Sequence, residues 1–343
     1  MGGRALKNTF TRRYERAEFD EIAKELTTIL DKVFRRVAVP LFYKNKQSFG
    51  DIDILVSMDI NRLFPLPFDI RNYIETTFKP NEIFHNGNCW SFDYKELQVD
   101  IITTAPEHFD SNLMYFSYND LGNFIGRLAH GFGLKYGQEG LWYEHQFKGK
   151  NIGTVYVSKN YPKIFEFLGL SYERYEKGFN ELEEIFTFIA ESPYFNWKKF
   201  QMEELNKINR DRNKKRASYT SFLEWMGENV ADENHEYKFF DDKTSYFIMI
   251  DDAFPEANIV TEVRRLEYLE CRKLYVQSKF SGGDVMKRYG FEGKKLGEVM
   301  TGFKEYITKE YNSYNDYIIH TDAFDIYMDF EEYLNEQQIR TTE

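Results

Sequence analysis

Phe19, Ile22, Ala23, Leu26, Ile29, Leu30, Val33 and Phe34 recur at helical intervals with Glu and Lys between them, which predicts an amphipathic helix of about 18 residues. Pro40 interrupts the pattern, and a polar loop over 44–50 leads into residues 50–57. There Ile52, Ile54 and Val56 alternate with their neighbours as a strand with one buried face requires. Residues 97–103 read as a second apolar strand, residues 89–94 as a shorter one, and residues 69–78 as an intervening helix. From about residue 120 strand signals fade, leaving 153–157 and 246–250 as strand candidates. The remaining pattern is helical over 161–169, 180–190, 199–209, 218–226, 257–278 and 294–309. Asp322, Asp325, Asp329, Glu331 and Glu332 are interleaved with aromatics at helical spacing and predict a further amphipathic helix. No internal repeat or low-complexity linker is present. The expected fold class is α+β: a mixed or antiparallel sheet with flanking helices, followed by a mostly helical C-terminal domain.

The alternation that turns Ile52 and Ile54 toward a core sends Asp51 and Asp53 to the opposite face, side by side. If the strand carrying Asp100 pairs nearby, a third carboxylate joins them. Three clustered carboxylates stay ionised cheaply only beside a cation. Hard oxygen donors suit Mg2+, which keeps waters and takes substrate phosphates as further ligands. Two such ions give the physical outline of phosphoryl or nucleotidyl transfer. The six histidines show no metal-ligand spacing, no Ser-His-Asp or Cys-His constellation stands out, and no Gly-Lys-Ser/Thr loop follows a strand.

Composition narrows the setting. The 343 residues are enough for two or three domains, and 32 Phe and 25 Tyr are available to fill their cores. No apolar run approaches a bilayer-spanning length, so no membrane partner is expected. Met1-Gly2-Gly3-Arg4 turns polar at once, unlike a secretory signal, and Cys89 and Cys271 make neither a disulfide framework nor a zinc site. The expectation is a cytoplasmic monomer. A net charge of −11 argues against coating nucleic acid through bulk charge, but a local basic groove is compatible with it. The densest cationic run holds Arg210, Arg212, Lys214, Lys215 and Arg216, able to neutralise several phosphates or to form a solvated helix face.

Taken together, the first half resembles the palm and thumb of the DNA polymerase β (X) family of nucleotidyltransferases over roughly residues 10–180. Gly50-Asp51-Ile52-Asp53-Ile54 is similar to the family's paired catalytic aspartates, and Leu97-Gln98-Val99-Asp100 to the strand carrying its third. Tyr115-Phe116, Asp120, Asn123 and Arg127 resemble its nucleotide-pocket helix, and the segments 133–141 and 164–170 continue the likeness. The resemblance implies an N-terminal helix (1–36), a palm (37–114), a thumb-like subdomain (115–180) and a mostly helical C-terminal domain (181–343). It implies catalytic and metal-binding roles for Asp51, Asp53 and Asp100 with two Mg2+ ions, Mn2+ being an alternative. It further implies nucleotide contacts from Lys44, Gly50, Tyr115, Phe116, Asp120 and Asn123. Nucleic-acid contacts are expected from Arg127, Lys135 and the cationic run.

The likeness has departures. Pro40-Leu41 stands where the family has a Gly-Ser pair whose serine holds triphosphate, Lys44 where an arginine clamps phosphate, and Tyr118 where a turn glycine follows the Tyr-Phe pair. Fewer than twenty residues precede the first helix, so a lyase domain is not expected. A second resemblance covers Phe280 to Met300, whose glycine punctuation is similar to the C-terminal segment of bacterial CCA-adding enzymes and poly(A) polymerases. The leading expectation is therefore extension of a nucleic-acid 3′-hydroxyl from nucleoside triphosphates on a DNA primer and template. The alternatives are addition to an RNA 3′ end and a non-catalytic nucleic-acid-binding relative.

Overall fold

The computed structural model describes Gly3, residues 5–61 and residues 67–339. Met1, Gly2 and Arg4, on which part of the signal-peptide argument falls, lie outside the described residues. The fold is mixed α and β, with a mixed sheet and a helical C-terminal region. Its elements begin with β1 (Tyr14–Glu15), α1 (Arg16–Leu30), β2 (Val37–Ala38), β3 (Ser48–Phe49), β4 (Asp51–Ser57), α2 (Ile70–Phe78), β5 (Ile83–Asn86), β6 (Cys89–Tyr94) and β7 (Leu97–Thr104). They continue with α3 (Phe109–Phe116), α4 (Leu121–Gly131), β8 (Leu134–Gly137), β9 (Gly140–Phe147), β10 (Lys150–Ser158), α5 (Tyr161–Phe167), α6 (Tyr172–Lys177) and α7 (Leu182–Ala190). The helices α8 (Lys207–Asn213), α9 (Ala217–Asn229), α10 (Phe247–Ala253), α11 (Ile259–Lys279), α12 (Gly282–Tyr289), α13 (Gly293–Glu310), α14 (Tyr314–His320) and α15 (Ala323–Glu336) follow.

The central sheet runs β2-β4-β7-β6-β5. β4 and β7 are parallel, and the other pairs are antiparallel. Phe19, Ile22, Leu26 and Leu30 of α1 pack with Ile74 of α2 onto Ile52, Ile54 and Val56 of β4 and Val99 and Ile101 of β7. α1 starts where Glu18 accepts the Glu15 N–H at 3.2 Å, an N-terminal cap strengthened by the Arg12–Glu18 ion pair. It ends at Leu30, short of the predicted Phe34, because Val33 and Phe34 fold back on the Leu30 carbonyl and stay buried in a turn.

Beyond residue 120 the sequence reading needs correction. β8, β9 and β10 form a three-stranded sheet, of which only the 153–157 stretch was anticipated. The alternation is present, with Leu134, Tyr136, Leu141 and Tyr143 buried, but β8 has only four residues and turns at 138–139 and 148–149, with glycine beside or within them, interrupt the run. Residues 246–250 belong to a helical segment, not a strand. The Asp242 carboxylate accepts the Thr244 N–H at 3.0 Å and starts a helical turn that runs into α10. A short apolar run carries no period strong enough to separate the two states. The 199–209 helix is broken into turns over Trp197–Phe200 and Met202–Glu204 before α8, which begins where Asn206 caps the Asn209 N–H.

The chain divides into two compact units, Met1–His145 with Thr154–Ile259, and Gln146–Gly153 with Val260–Glu343. In the first, Phe124 of α4 sits among Phe186, Phe200, Tyr219 and Phe222. In the second, Phe280, Val285, Phe303, Ile318, Ile326 and Phe330 form a separate core, and Gly290 closes α12 in the left-handed conformation. Among the described residues no helix is long and apolar enough to cross a membrane.

Ile54 is wholly buried under α1. Ile54→Ala should lower unfolding free energy by about 3 kcal/mol in a denaturant titration, the cost of a cavity that the sheet cannot close.

Candidate functional site

Pairing of β4 with β7 places Asp51 opposite Gln98, Asp53 opposite Asp100 and Leu55 opposite Ile102. β6 extends these rows, with Asp93 opposite Gln98 and Ser91 opposite Asp100. Asp51, Gln98 and Asp93 therefore form one row across the face away from α1, and Asp53, Asp100 and Ser91 the next. Neighbouring strands lie about 4.8 Å apart, so the carboxylates of the second row are held side by side. Below them Leu55, Ile102 and Phe109 make a small apolar cluster that floors the site.

The electrostatics follow from this register. Burial, reinforced by the charges of Asp51 and Asp100, drives the Asp53 carboxyl well above its ordinary range. Asp100 is pushed up to about 6, chiefly by burial, while hydrogen bonds from Ser91 and Gln98 pull the other way. Gln98 donates its amide to both Asp100 oxygens at 3.0 Å. Its own carbonyl accepts the Ala5 N–H at 2.9 Å. The Gly3 N–H donates to Asp51 at 2.8 Å. Only glycine fits there, since a Cβ would fall 2.1 Å from the Gly50 carbonyl oxygen. Asp93 is satisfied separately by the N–H groups of Asn81 and Glu82 at 2.8 Å each. Neutral amides from the N-terminal segment and from Gln98 thus occupy lone pairs that a cation would take.

Asp51 and Asp53 open onto a cavity of about 280 Å3, with Tyr115, Phe116, Asn119 and Asn123 on one wall and Lys46, Arg212 and Arg216 contributing cations. Tyr118 and Asn119 are consecutive left-handed residues, with φ of 59° and 61°. The strain is held by packing: Tyr118 is buried edge-on against Tyr175 and Phe179, and its N–H donates to the Leu41 carbonyl at 2.5 Å. Ser117 completes the tie by accepting the Leu41 N–H at 3.0 Å. The backbone of Leu41, where a Gly-Ser phosphate loop was missed in the sequence, is therefore committed to the α3–α4 turn.

The remaining candidates separate into groups. Lys44 does not line the acidic cavity. It is exposed, and its backbone pairs with Phe179 and Arg16. Lys46, which sequence reasoning passed over, lies beside Asp51 and Asp53 instead, 4.7 Å over the Phe49 ring. Burial lowers its pKa, against the opposing pull of the two aspartates. Gly50 meets Gly3 through its carbonyl. Asp120, expected along a nucleotide, is turned inward at 6% exposure and bound by the Arg216 guanidinium and the Ser218 hydroxyl.

Arg127 donates to the Lys199 carbonyl and, with exposed Lys135, borders a second cavity of about 570 Å3 that shares Tyr115, Asn123 and Arg212 with the first. Arg210 caps back onto the Leu205 carbonyl, while Lys214 and Lys215 point to solvent outside both cavities. Gln98, Ser91 and Asp93 were missed as well. Their common signal is period-two spacing from Asp100 on paired strands, which becomes readable only when the partner strand is known.

The donor chemistry fits a hard dication, because carboxylates destabilised by one another and by burial are relieved by a positive ion. In the present arrangement, however, no three His, Cys, Asp or Glu side chains among the described residues are set to hold a metal ion. No protein-family model matches the chain, and no curated protein sequence matches it.

Two outcomes follow from the charge pattern. An acid whose folded-state pKa is raised binds its proton more tightly when folded, so this cluster's contribution to stability falls as pH climbs from about 4 through about 6. In EDTA, Asp53→Asn should flatten that fall and raise stability at pH 7 by about 1–3 kcal/mol in thermal or denaturant melts. Asp120→Ala should cost about 2–4 kcal/mol in the same assays, because it strands the Arg216 guanidinium and the Ser218 hydroxyl.

Proposed function

We propose that the protein is a metal-dependent nucleotidyltransferase, adding nucleotides from nucleoside triphosphates to a nucleic-acid 3′-hydroxyl with release of pyrophosphate. The observation that carries this reading is the row geometry: Asp53 in register with Asp100 and Asp51 two residues along the same face, with Asp51 and Asp53 at the edge of a cavity whose other walls are aromatic, amide and cationic. In this reading the sheet β2-β4-β7-β6-β5 with α1 and α2 is the palm, and residues 115–180 are the thumb-like part.

Asp51 and Asp53 would hold two Mg2+ ions, with Asp100 completing the site nearer the attacking hydroxyl. When bound, the ions lower the pKa of that hydroxyl and stabilise charge on the leaving pyrophosphate. The chain's own residues supply the rest. Asp100 would take up the proton released at the hydroxyl. Tyr115 and Phe116, edge-on at 5.4 Å, present an apolar wall for a sugar, and Asn119 and Asn123 bring amide groups to its rim. For these aspartates to hold cations, Gly3 and Gln98 would have to give up their hydrogen bonds to Asp51 and Asp100.

The leading substrate is a DNA primer and template. A second reading, ribonucleotide addition to an RNA 3′ end, is favoured by a particular observation: Asp120 and Arg127, which would lie along the nucleotide and its template, are both bound within this chain. The glycine-punctuated helices α12 and α13 cover the segment that resembles CCA-adding and poly(A) enzymes.

The test is incorporation. The pure protein is incubated with Mg2+ or Mn2+, each labelled deoxy- or ribonucleoside triphosphate, and either a primed DNA duplex or a tRNA lacking its 3′ end. Extension that disappears in Asp51→Ala/Asp53→Ala supports the reading, and the preferred pair of substrates chooses between DNA and RNA. No incorporation on any substrate with either metal would replace it with a non-catalytic nucleic-acid-binding protein.

A further inference from the structure

Arg212 and Arg216 lie beyond the part of the chain that resembles a polymerase, yet both reach the acidic cavity. They do so because the α8–α9 junction is anchored on both sides. Buried Asn213 accepts a hydrogen bond from Asn123 at 3.4 Å, and Arg216 is locked on Asp120. Immediately before the first anchor stands Arg212, on the wall shared by the two cavities. Its guanidinium makes no ion pair or side-chain hydrogen bond among the described residues. Lys46, beside Asp51 and Asp53, feels their charge but likewise has no ion pair among them. Arg216 is already matched by Asp120, so among the described residues Arg212 and Lys46 are the cations lining this space without an ion pair.

A cavity lined both by carboxylates and by cations without ion pairs selects its occupant by charge. A free anion is repelled by Asp51, Asp53 and Asp100, and a free dication by Arg212 and Lys46. A polyphosphate chelated to a dication satisfies both sets, the metal toward the aspartates and the phosphate oxygens toward the cations. We infer that Arg212 and Lys46 grip the phosphate chain of a nucleoside triphosphate, so that a helix outside the polymerase-like half supplies the anion site that Pro40-Leu41 cannot. The arrangement selects by phosphate chain length: a monophosphate engages one cation at most, whereas a triphosphate spans both. The nucleoside then extends past Tyr115 and Asn123 into the second cavity, which shares those residues and Arg212 with the first. This assignment rests on the proposed nucleotidyl transfer.

The test compares equilibrium binding of ATP and AMP, each with Mg2+ and without primer, to the full chain and to Arg212→Ala, Arg212→Lys and Lys46→Ala. Inorganic tripolyphosphate serves as a competitor, and circular dichroism confirms that each variant is folded. The expected result is ATP affinity at least about tenfold above AMP in the wild type. Arg212→Ala and Lys46→Ala should each lose about tenfold for ATP and little for AMP, with Arg212→Lys restoring part. Tripolyphosphate should displace ATP from the wild type and less well from Arg212→Ala. Wild-type binding of ATP with an unchanged ATP-to-AMP ratio in the alanine variants would overturn the phosphate grip while leaving nucleotidyl transfer standing. Failure of the wild type to bind any triphosphate would overturn both.

Discussion

The parallel pairing of β4 with β7 is the constraint on which the site depends, because its register decides which side chains face each other across about 4.8 Å. A slip by one residue would carry every side chain of β4 to the opposite face. Asp51 and Asp53 would then point into the core that α1 and α2 close. The register is held by Ile52, Ile54 and Val56 meeting Val99 and Ile101, all essentially removed from water. Burying each such side chain contributes about 1.5–3 kcal/mol, which offsets the repulsion that the same register imposes between Asp53 and Asp100. The apolar face and the acidic face are two consequences of one alignment.

Charge on the acidic face is distributed among unlike partners. Gln98 faces Asp51 across the strands and donates its amide to both oxygens of Asp100, while its carbonyl accepts the Ala5 N–H. Asp93 is satisfied by backbone N–H groups at the start of β5, and Asp51 by Gly3. These neutral donors weaken the mutual repulsion without cancelling it. The cluster therefore keeps an attraction for positive charge, and the ties to be broken are ordinary hydrogen bonds.

The opposite wall is built by a different route. The strained turn at Tyr118 and Asn119 is fixed from below by aromatic packing and from the side by the Leu41 backbone. α4 follows from it, and Phe124 ties α4 into the cluster that also receives α7 and α9. That packing draws the α8–α9 junction onto α4, where Asp120 takes Arg216 and Asn123 meets Asn213. Residues almost a hundred positions apart along the chain thereby complete one cavity. Two of its cations, Arg212 and Arg216, come from a segment that, read alone, is an ordinary basic run.

Much of the central sheet was legible in the chain itself. The period-two run read at 50–57, the apolar run read at 97–103 and the helical period of α1 depend on local alternation, and Asp69 marks the start of α2. The placing of Asp51 and Asp53 on one face follows from strand geometry alone. Whether Asp100 joins them does not, because pairing partners and register are set by long-range burial that no local window contains. The same holds for Asp93 and Gln98, for the choice of Lys46 over Lys44, and for the separation of Arg212 from its neighbours Lys214 and Lys215. A charged side chain lowers or raises the energy of a site according to what stands opposite it, and what stands opposite is decided when distant elements pack. Sequence periodicity determined the faces, and tertiary structure alone determined which faces meet.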